Sequence, residues 1–84
     1  AASVRTRLGR LTPREREVAE LVAEGLANKI IADRLGVTEQ AVKYHRMNIC
    51  AKLEVRSAVE IARLLDAGDA GLEESGLRRI TVLE

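Results

Sequence analysis

The sequence predicts an all-α fold: a four-helix domain built around a helix-turn-helix, with a flexible N-terminal arm and a C-terminal tail. Apolar residues recur three and four positions apart on both sides of a short joint at 35–38, which is helical spacing. Within the joint, Gly36 suits a left-handed turn and the Thr38 hydroxyl can cap the next helix. The chain has one Tyr and no Phe or Trp, so its core must be aliphatic, as packed helices allow.

The start of the first helix is marked by local polar residues. Thr12 precedes Pro13 and lies three positions before Glu15. This pattern is a capping box with proline at the first helical position. Gly25 is placed to end the helix. We therefore predict the first helix over 13–24.

The second and third predicted helices form the helix-turn-helix. Ile31 and Leu35 share one face of a helix over 28–35. The third helix is predicted over about 39–53. Val42, Ile49 and Leu53 are predicted to point inward, with His45 beside them at the same helical spacing. A short helix, a tight turn and a longer capped helix can set the longer helix in a DNA major groove.

A fourth helix is predicted over 58–67. Ser57 and Glu60 form a second capping box before it, and Gly68 is expected to stop it. Its apolar residues spread over roughly 200° of the helix surface, which is wider than one core contact requires. A two-fold dimer contact would cover the surplus, and the alternative is that the tail covers it. The predicted dimer interface consists of Ala58, Val59, Ala62, Arg63, Leu65 and Asp66.

Two segments flank the predicted domain, which comprises residues 11–67. Residues 1–10 carry no apolar periodicity and are predicted to be a basic linker or arm. For the tail at 68–84, a short strand, a flap over the core and disorder all fit the pattern; disorder or loose docking is favoured. The chain begins at Ala1 and its only methionine is Met47, so we interpret it as a fragment or a processed product.

The net charge of +1 hides an uneven distribution of charged residues. Residues 1–10 are basic, 11–67 are balanced and the tail is acidic. The first helix carries glutamates that we expect to be solvated: Glu15, Glu17, Glu20 and Glu24. The third helix and the turn after it carry Lys43, Arg46, Lys52 and Arg56. A neutral total therefore permits one basic face of the kind that meets phosphate.

Several function classes lack support in the composition. Cys50 is the only cysteine, which argues against a disulfide framework or a zinc cluster and fits a reducing compartment. His45 is the only histidine, so a metal site or a catalytic triad has no partners. No apolar run approaches the ~20 residues of a membrane span, and no signal peptide opens the chain. We predict a cytoplasmic protein that is not an enzyme, needs no cofactor and does not bind membranes.

The outward face of the third helix has the side chains that a DNA groove can use. At about 100° per residue, this face presents Gln40, Lys43, Tyr44, Met47 and Asn48. Lys43 can reach guanine acceptors or phosphate, and Gln40 or Asn48 can pair with adenine. Tyr44 and Met47 offer apolar contact to a thymine methyl group. The alternative is a solvated helix face with two incidental large side chains.

These residues closely resemble the LuxR/NarL-type helix-turn-helix, the C-terminal DNA-binding domain of many bacterial response regulators and quorum sensors. The resemblance is carried by Leu11-Thr12-Pro13-Arg14-Glu15-Arg16-Glu17, Gly25-Leu26-Ala27-Asn28-Lys29, Ile31-Ala32, Leu35-Gly36-Val37-Thr38, Val42-Lys43, His45, Asn48-Ile49, Lys52-Leu53 and Val55-Arg56-Ser57. It implies a four-helix effector domain of a transcription regulator that binds double-stranded DNA as a homodimer through its last helix. It also implies an upstream receiver or ligand-binding domain, and RNA polymerase is a further candidate partner.

The resemblance also implies roles for individual residues. Lys43, Tyr44 and Met47 match positions that contact bases, and Gln40 and Asn48 complete the predicted base-contacting set. The predicted phosphate contacts are Lys29, Thr38, His45, Arg46, Lys52, Arg56 and Ser57.

Three residues depart from the family pattern. Ala41 replaces a usual threonine, Ala58 a frequent arginine, and Ile30 occupies a commonly polar position. The first two changes should weaken non-specific DNA binding, and the arginines of the N-terminal arm are candidates to compensate.

The leading hypothesis is sequence-specific DNA binding, and two alternatives stay open. The first is a domain like region four of a sigma factor, which binds promoter DNA beside RNA polymerase. The second is a protein-interaction module that kept the fold and lost DNA affinity. The neutral charge balance and the departures from the family pattern motivate the second alternative.

Overall fold

The helices of the domain pack around one aliphatic core. A computed structural model describes residues 2–69 of the chain. The helices are α1 (Val4–Leu8), α2 (Pro13–Ala23), α3 (Asn28–Leu35), α4 (Glu39–Leu53) and α5 (Ala58–Asp69). The predicted all-α class is confirmed, and each of the four predicted helices is present. None of the helices in this part of the chain combines the length and the apolar character needed to cross a bilayer.

The core is built from the inward stripes of α2, α3, α4 and α5. Its fully or nearly fully buried members are Val18, Ala19, Val22, Ile31, Ala32, Val42, Ile49, Leu53, Ile61 and Leu65. The helix α2 packs against α4 and α5, and α3 packs against α4. Each buried aliphatic side chain contributes about 1.5–3 kcal/mol relative to an exposed one. Because the core is small, α4 is held mainly by the burial of its one apolar face.

The N-terminal segment over residues 1–10, predicted to be a flexible basic linker or arm, contains the helix α1, which is packed against the domain. Ser3 caps this helix by accepting a hydrogen bond from the Thr6 backbone N–H at 3.1 Å. The helix lies against α4 and α5, with Leu8 packed on the core. A five-residue helix is too short to show a periodic pattern, and its stability comes from tertiary packing.

The last described helix runs past Gly68, which was expected to stop it, and continues to Asp69. Gly68 lies where α5 meets α1: a Cβ atom there would overlap Leu8 Cδ1. Gly68 therefore lies at the contact between α1 and α5. The predicted tail, from residue 70 onward, lies outside the described residues.

The joint between α3 and α4 has the predicted geometry. Gly36 adopts the left-handed conformation, with φ 69° and ψ 35°. Its N–H and that of Val37 donate to the Ala32 carbonyl, which closes the end of α3. The Thr38 hydroxyl then accepts from the Ala41 N–H at 3.0 Å and caps α4. The turn and the cap together set the direction of α4 relative to α3.

We expect Gly36→Ala to lower the free energy of unfolding by about 1 kcal/mol, because an L-residue is disfavoured in the left-handed region. The site has open space, so the cost is conformational rather than steric. Urea unfolding measures the change. Gly36→Asn is the matched control and should cost less, since Asn tolerates this conformation; equal costs for Ala and Asn would contradict the argument.

Candidate nucleic-acid interface

The helix α4 has one fully buried face and one exposed face. Val42, Ile49 and Leu53 are enclosed in the core. On the other side, Tyr44 is 59% exposed and Met47 is 64% exposed. The remaining residues of the predicted base-contacting set lie on the same outward side: Gln40 and Lys43 are exposed, and Asn48 is half-buried. The helix therefore presents two large apolar groups together with polar ones, on a rigid support.

His45 lies between the two faces of α4. It is half-buried, and its ring centroid is 6.2 Å from that of Tyr44, with the rings tilted by 58°. Over residues 2–69, no group of three or more His, Cys, Asp or Glu side chains is arranged to hold a metal ion.

Arg46 ties α4 to the beginning of α3. Its Nη1 donates to Asn28 Oδ1 at 2.8 Å, and the side chain is half-buried. Asn28 is the first residue of α3, whose N-cap Ala27 supplies no side-chain cap. A guanidinium group has five N–H donors, so Arg46 can keep this bond and still donate elsewhere. No local sequence pattern indicates this bond, because it joins side chains 18 positions apart.

Lys52 is paired with a buried carboxylate. Its Nζ lies 2.6 Å from Glu15 Oε1, and the Thr12 backbone N–H donates to the same oxygen at 2.9 Å. Glu15 is only 6% exposed, so the expectation that all four glutamates of the first helix are solvated was wrong for this one. The other three are exposed as expected: Glu17, Glu20 and Glu24. Glu15 thus completes the predicted capping box and also joins the start of α2 to the end of α4.

The charged state of Glu15 depends on these partners. Burial raises the pKa of Glu15, but the hydrogen bonds from Lys52 and Thr12 and the charge of Lys52 outweigh it. The pKa of Glu15 is therefore lowered overall, and the carboxylate stays ionised near neutral pH.

The capping of α5 uses Ser57 in a modified form of the predicted box. The Glu60 N–H donates to Ser57 Oγ at 3.2 Å, as expected. The return bond comes from the Arg56 N–H, which donates to Glu60 Oε1 at 3.2 Å, one residue earlier than in the regular motif. The Ser57 hydroxyl also lies 3.4 Å from this carboxylate. Ser57 is thus engaged as a cap, while the Arg56 side chain extends into solvent.

Two arginines of the N-terminal segment bind the C-terminal end of α4. Arg7 Nη1 donates to the Leu53 carbonyl at 3.1 Å, and Arg10 Nη1 donates to the Lys52 carbonyl at 2.8 Å. These oxygens are at the negative end of the helix dipole and have no partner within the helix. The arginines were expected to compensate for lost phosphate contacts, and the structure instead commits Arg7 and Arg10 to α4.

Glu54 completes this arrangement in a left-handed conformation, with φ 61°. Its carboxylate Oε2 lies 2.8 Å from Arg10 Nη1. The hydrogen bond from Arg10 lowers the pKa of Glu54 despite the opposing effect of desolvation. The backbone N–H of Glu54 donates to the Ala51 carbonyl, which turns the chain away from α4.

The basic residues differ in how far they are already paired. Within the described part of the chain, no carboxylate forms an ion pair with Lys29, Lys43, Arg46, Arg56 or Arg63. By contrast, Arg34 lies 4.0 Å from Glu24, in a cleft between α2 and α3 that Glu17 and Glu20 also line. Positive charge is thus available on α4 and at the start of α3, and negative charge collects along α2.

The predicted dimer face of α5 is only partly at the surface. Val59, Arg63 and Asp66 are exposed, and Ala58 and Ala62 are half-buried. Leu65 is 4% exposed and belongs to the core, so its assignment to an outer interface was wrong. Part of the apolar surplus on α5 is covered by α1, a helix that the sequence pattern does not predict.

This arrangement agrees with a match between the chain and a protein-family model. The model described as GerE, bacterial regulatory proteins, luxR family, matches residues 9–65. The chain belongs to the luxR family. This match confirms the resemblance drawn from the sequence, and the domain is of the class of DNA-binding transcription regulators rather than enzymes.

Individual luxR-type relatives agree with the family match. The nitrate/nitrite response regulator protein NarL of Escherichia coli K12 is 47% identical over 55 residues, which is 66% of this chain and 26% of NarL. The transcriptional regulatory protein FixJ of Rhizobium meliloti is 39% identical over 71 residues, 84% of this chain and 35% of FixJ. The chain thus spans about a third or less of these relatives.

A solved structure shows the same luxR-type fold. The response regulator StyR superposes with a TM-score of 0.72 at 43% sequence identity. The superposition covers 75% of this chain and 32% of the StyR chain.

We expect Glu15→Gln to lower the free energy of unfolding at pH 7 by about 1–3 kcal/mol, because it removes a charged hydrogen-bond partner of Lys52. Since the pKa of Glu15 is lowered by folding, its contribution is present above the unfolded-state pKa of about 4.3 and is lost as the pH falls further. Chemical unfolding at pH 7 and pH 3 measures both effects.

Glu17→Gln is the matched control for this experiment. Glu17 is exposed and lies 3.8 Å from Arg14 within α2, so its loss should change the stability by less than about 0.5 kcal/mol. A difference between wild type and Glu15→Gln that does not shrink in acid would contradict the charged role of Glu15.

Proposed function

We propose that this chain is the sequence-specific, double-stranded DNA-binding domain of a bacterial transcription regulator, with α4 lying in the major groove. Membership of the luxR family supports DNA binding, and the names of NarL, as a response regulator, and FixJ, as a transcriptional regulatory protein, support the regulatory role. The chain spans about a third or less of these relatives. This supports the presence of a further domain upstream in the whole protein, either a receiver or a ligand-binding domain. Action on chromosomal DNA implies a cytoplasmic location.

The observation that carries the proposal is the composition of the exposed face of α4. A helix that fills the core with one side presents Lys43, Tyr44 and Met47 on the other, and Lys43 has no ion-pair partner among residues 2–69. Large apolar side chains left in water beside an uncompensated ammonium group are suited to base edges and the thymine methyl group. Gln40 and Asn48, on the same side, add amide groups that can pair with adenine.

The phosphate contacts that we propose differ in availability. Lys29 and Arg56 are exposed, and Arg46 has N–H donors left beyond its bond to Asn28. Lys52 is shared with Glu15, so it supports phosphate binding only through its remaining N–H donors. The other members of the proposed set are His45, which is half-buried, and Thr38 and Ser57, whose hydroxyls already serve as helix caps.

We also propose that the domain dimerises on DNA through α5. The proposed interface comprises Ala58, Val59, Ala62, Arg63 and Asp66 and leaves out the buried Leu65. Val59 is 59% exposed and lies beside the half-buried Ala58 and Ala62 on the same helix. A two-fold contact here would bring two copies of α4 to neighbouring half-sites. The family match favours this function over the sigma-factor alternative.

A selection from a random duplex library, at stated salt, tests the proposal and supplies the preferred site. On that site we expect Tyr44→Ala or Met47→Ala to cost ~1–3 kcal/mol, with much smaller losses on unrelated duplexes. Lys43→Ala should weaken binding to all duplexes and lower the salt slope by about one unit. Fluorescence anisotropy over a salt series measures these quantities.

Arg34→Ala is the matched control for Lys43→Ala. It also removes one positive charge, but from the acidic cleft between α2 and α3, so it should leave the salt slope unchanged. Equal losses on every duplex from all three α4 variants would argue against base readout. A wild-type chain that shifts no duplex at low salt but binds a protein would favour the interaction-module alternative.

We expect Val59→Asp to abolish cooperative binding to a duplex with two half-sites. A charge at a symmetric contact meets its own copy, and loss of the second binding event should weaken affinity for the double site about tenfold or more. Affinity for a single half-site serves as the internal control and should stay the same. A double site bound equally by wild type and variant would refute the α5 interface.

A further inference from the structure

The carbonyl groups at the end of α4 are satisfied from two sources. The Cys50 carbonyl accepts from the Val55 N–H, and the Ala51 carbonyl accepts from the Glu54 N–H, so the following turn caps two of them. The next two carbonyls, those of Lys52 and Leu53, accept from Arg10 and Arg7. The last turn of α4 is therefore completed by side chains 42 and 46 positions earlier in the chain.

Arg7 lies in α1, and Arg10 follows this helix closely, with its backbone N–H donating to the Arg7 carbonyl at 3.0 Å. Val4 and Leu8 approach α5 at Gly68, where an added Cβ atom would overlap the end of the Leu8 side chain. Arg7 lies within this packing: its Nε atom is buried and has no hydrogen-bond partner. The bond from Arg7 Nη1 to the Leu53 carbonyl is therefore made at the cost of one buried N–H without a partner.

Two of the proposed phosphate contacts lie at the end of α4. Lys52 lies on the last turn of α4, and Arg56 follows that turn before α5 begins. Helix ends open readily when their carbonyl groups lose partners. Opening this turn would move Lys52 and Arg56 relative to the exposed face of α4.

We propose that Arg7 and Arg10 are positioning residues for DNA binding, which hold the last turn of α4 and so couple the docking of α1 on α5 to DNA affinity. This inference rests on the proposed function and adds its regulation. Neither arginine contacts DNA in this arrangement. Displacement of α1 withdraws both guanidinium groups from α4, and the domain then binds DNA more weakly while keeping its fold.

The test compares Arg7→Gln and Arg10→Gln in the full 84-residue chain with wild type. Circular dichroism first establishes that each variant is folded. Amide hydrogen exchange then reports the last turn of α4, through the N–H groups of Glu54 and Val55. Anisotropy over a salt series gives DNA affinity and its salt slope. Arg14→Gln is the matched control, because it removes the same charge from an exposed position on α2.

We expect each arginine variant to exchange the amides of Glu54 and Val55 about tenfold faster, as local opening becomes easier. DNA affinity should fall about three- to tenfold at an unchanged salt slope, because no phosphate contact is removed. Arg10→Lys should restore most of the affinity, since an ammonium group can reach both the Lys52 carbonyl and Glu54. Arg14→Gln should change none of these quantities.

A second variant undocks α1 while leaving both arginines in place. Gly68→Leu introduces a side chain where Leu8 already lies. It should reproduce the faster exchange of Glu54 and Val55 and the loss of affinity, again without a change in salt slope. This variant keeps the proposal testable if Arg7→Gln fails to fold.

Three results would overturn the proposal. A salt slope lowered by about one unit in Arg7→Gln or Arg10→Gln would mean direct phosphate contact instead of positioning. Faster exchange with unchanged affinity would mean a purely structural role. Unchanged exchange in Gly68→Leu would mean that α1 does not hold α4. If wild type binds no duplex, the proposed function falls and takes the effect on affinity with it, while the exchange measurements still decide whether α1 holds α4.

Discussion

The burial of one face of α4 is the constraint on which the rest of the domain depends. With no aromatic residue in the core, Val42, Ile49 and Leu53 must fill the space between α2, α3 and α5 with close aliphatic packing. That packing fixes the rotation of α4 about its axis and hence which residues face outward. Polar contacts fix its ends: Thr38 at the start, and the Arg7 and Arg10 side chains at the finish.

The sequence could predict those features whose cause is local. Thr12 with Glu15, Gly36 and Thr38 act within four residues of themselves, and all have the expected geometry. The outward face of α4 was predictable for the same reason, since helical periodicity alone determines it. Features that depend on distant partners were not predictable. The pairing of Glu15 with Lys52 spans 37 positions, and no local pattern distinguishes Glu15 from its solvated neighbours.

The helix α1 and the surface of α5 show a second limit of prediction from sequence. A five-residue helix has too few turns for a periodic pattern, and α1 exists because α4 and α5 provide a surface for it. From the sequence, the apolar excess on α5 predicts either a dimer contact or cover by the tail. One part of that excess lies under α1, and Leu65 lies in the core. Excess apolar surface predicts that something covers a helix, without saying which element does.

The left-handed Glu54 has a consequence for how related sequences can vary. Glycine would be the least strained residue at this bend, but it would leave Arg10 without its carboxylate partner. Glutamate is strained in this left-handed conformation, but its carboxylate forms an ion pair that joins two segments distant in the sequence. Positions 10 and 54 are therefore expected to co-vary: arginine accompanied by an acidic residue, and glycine accompanied by residues of any charge.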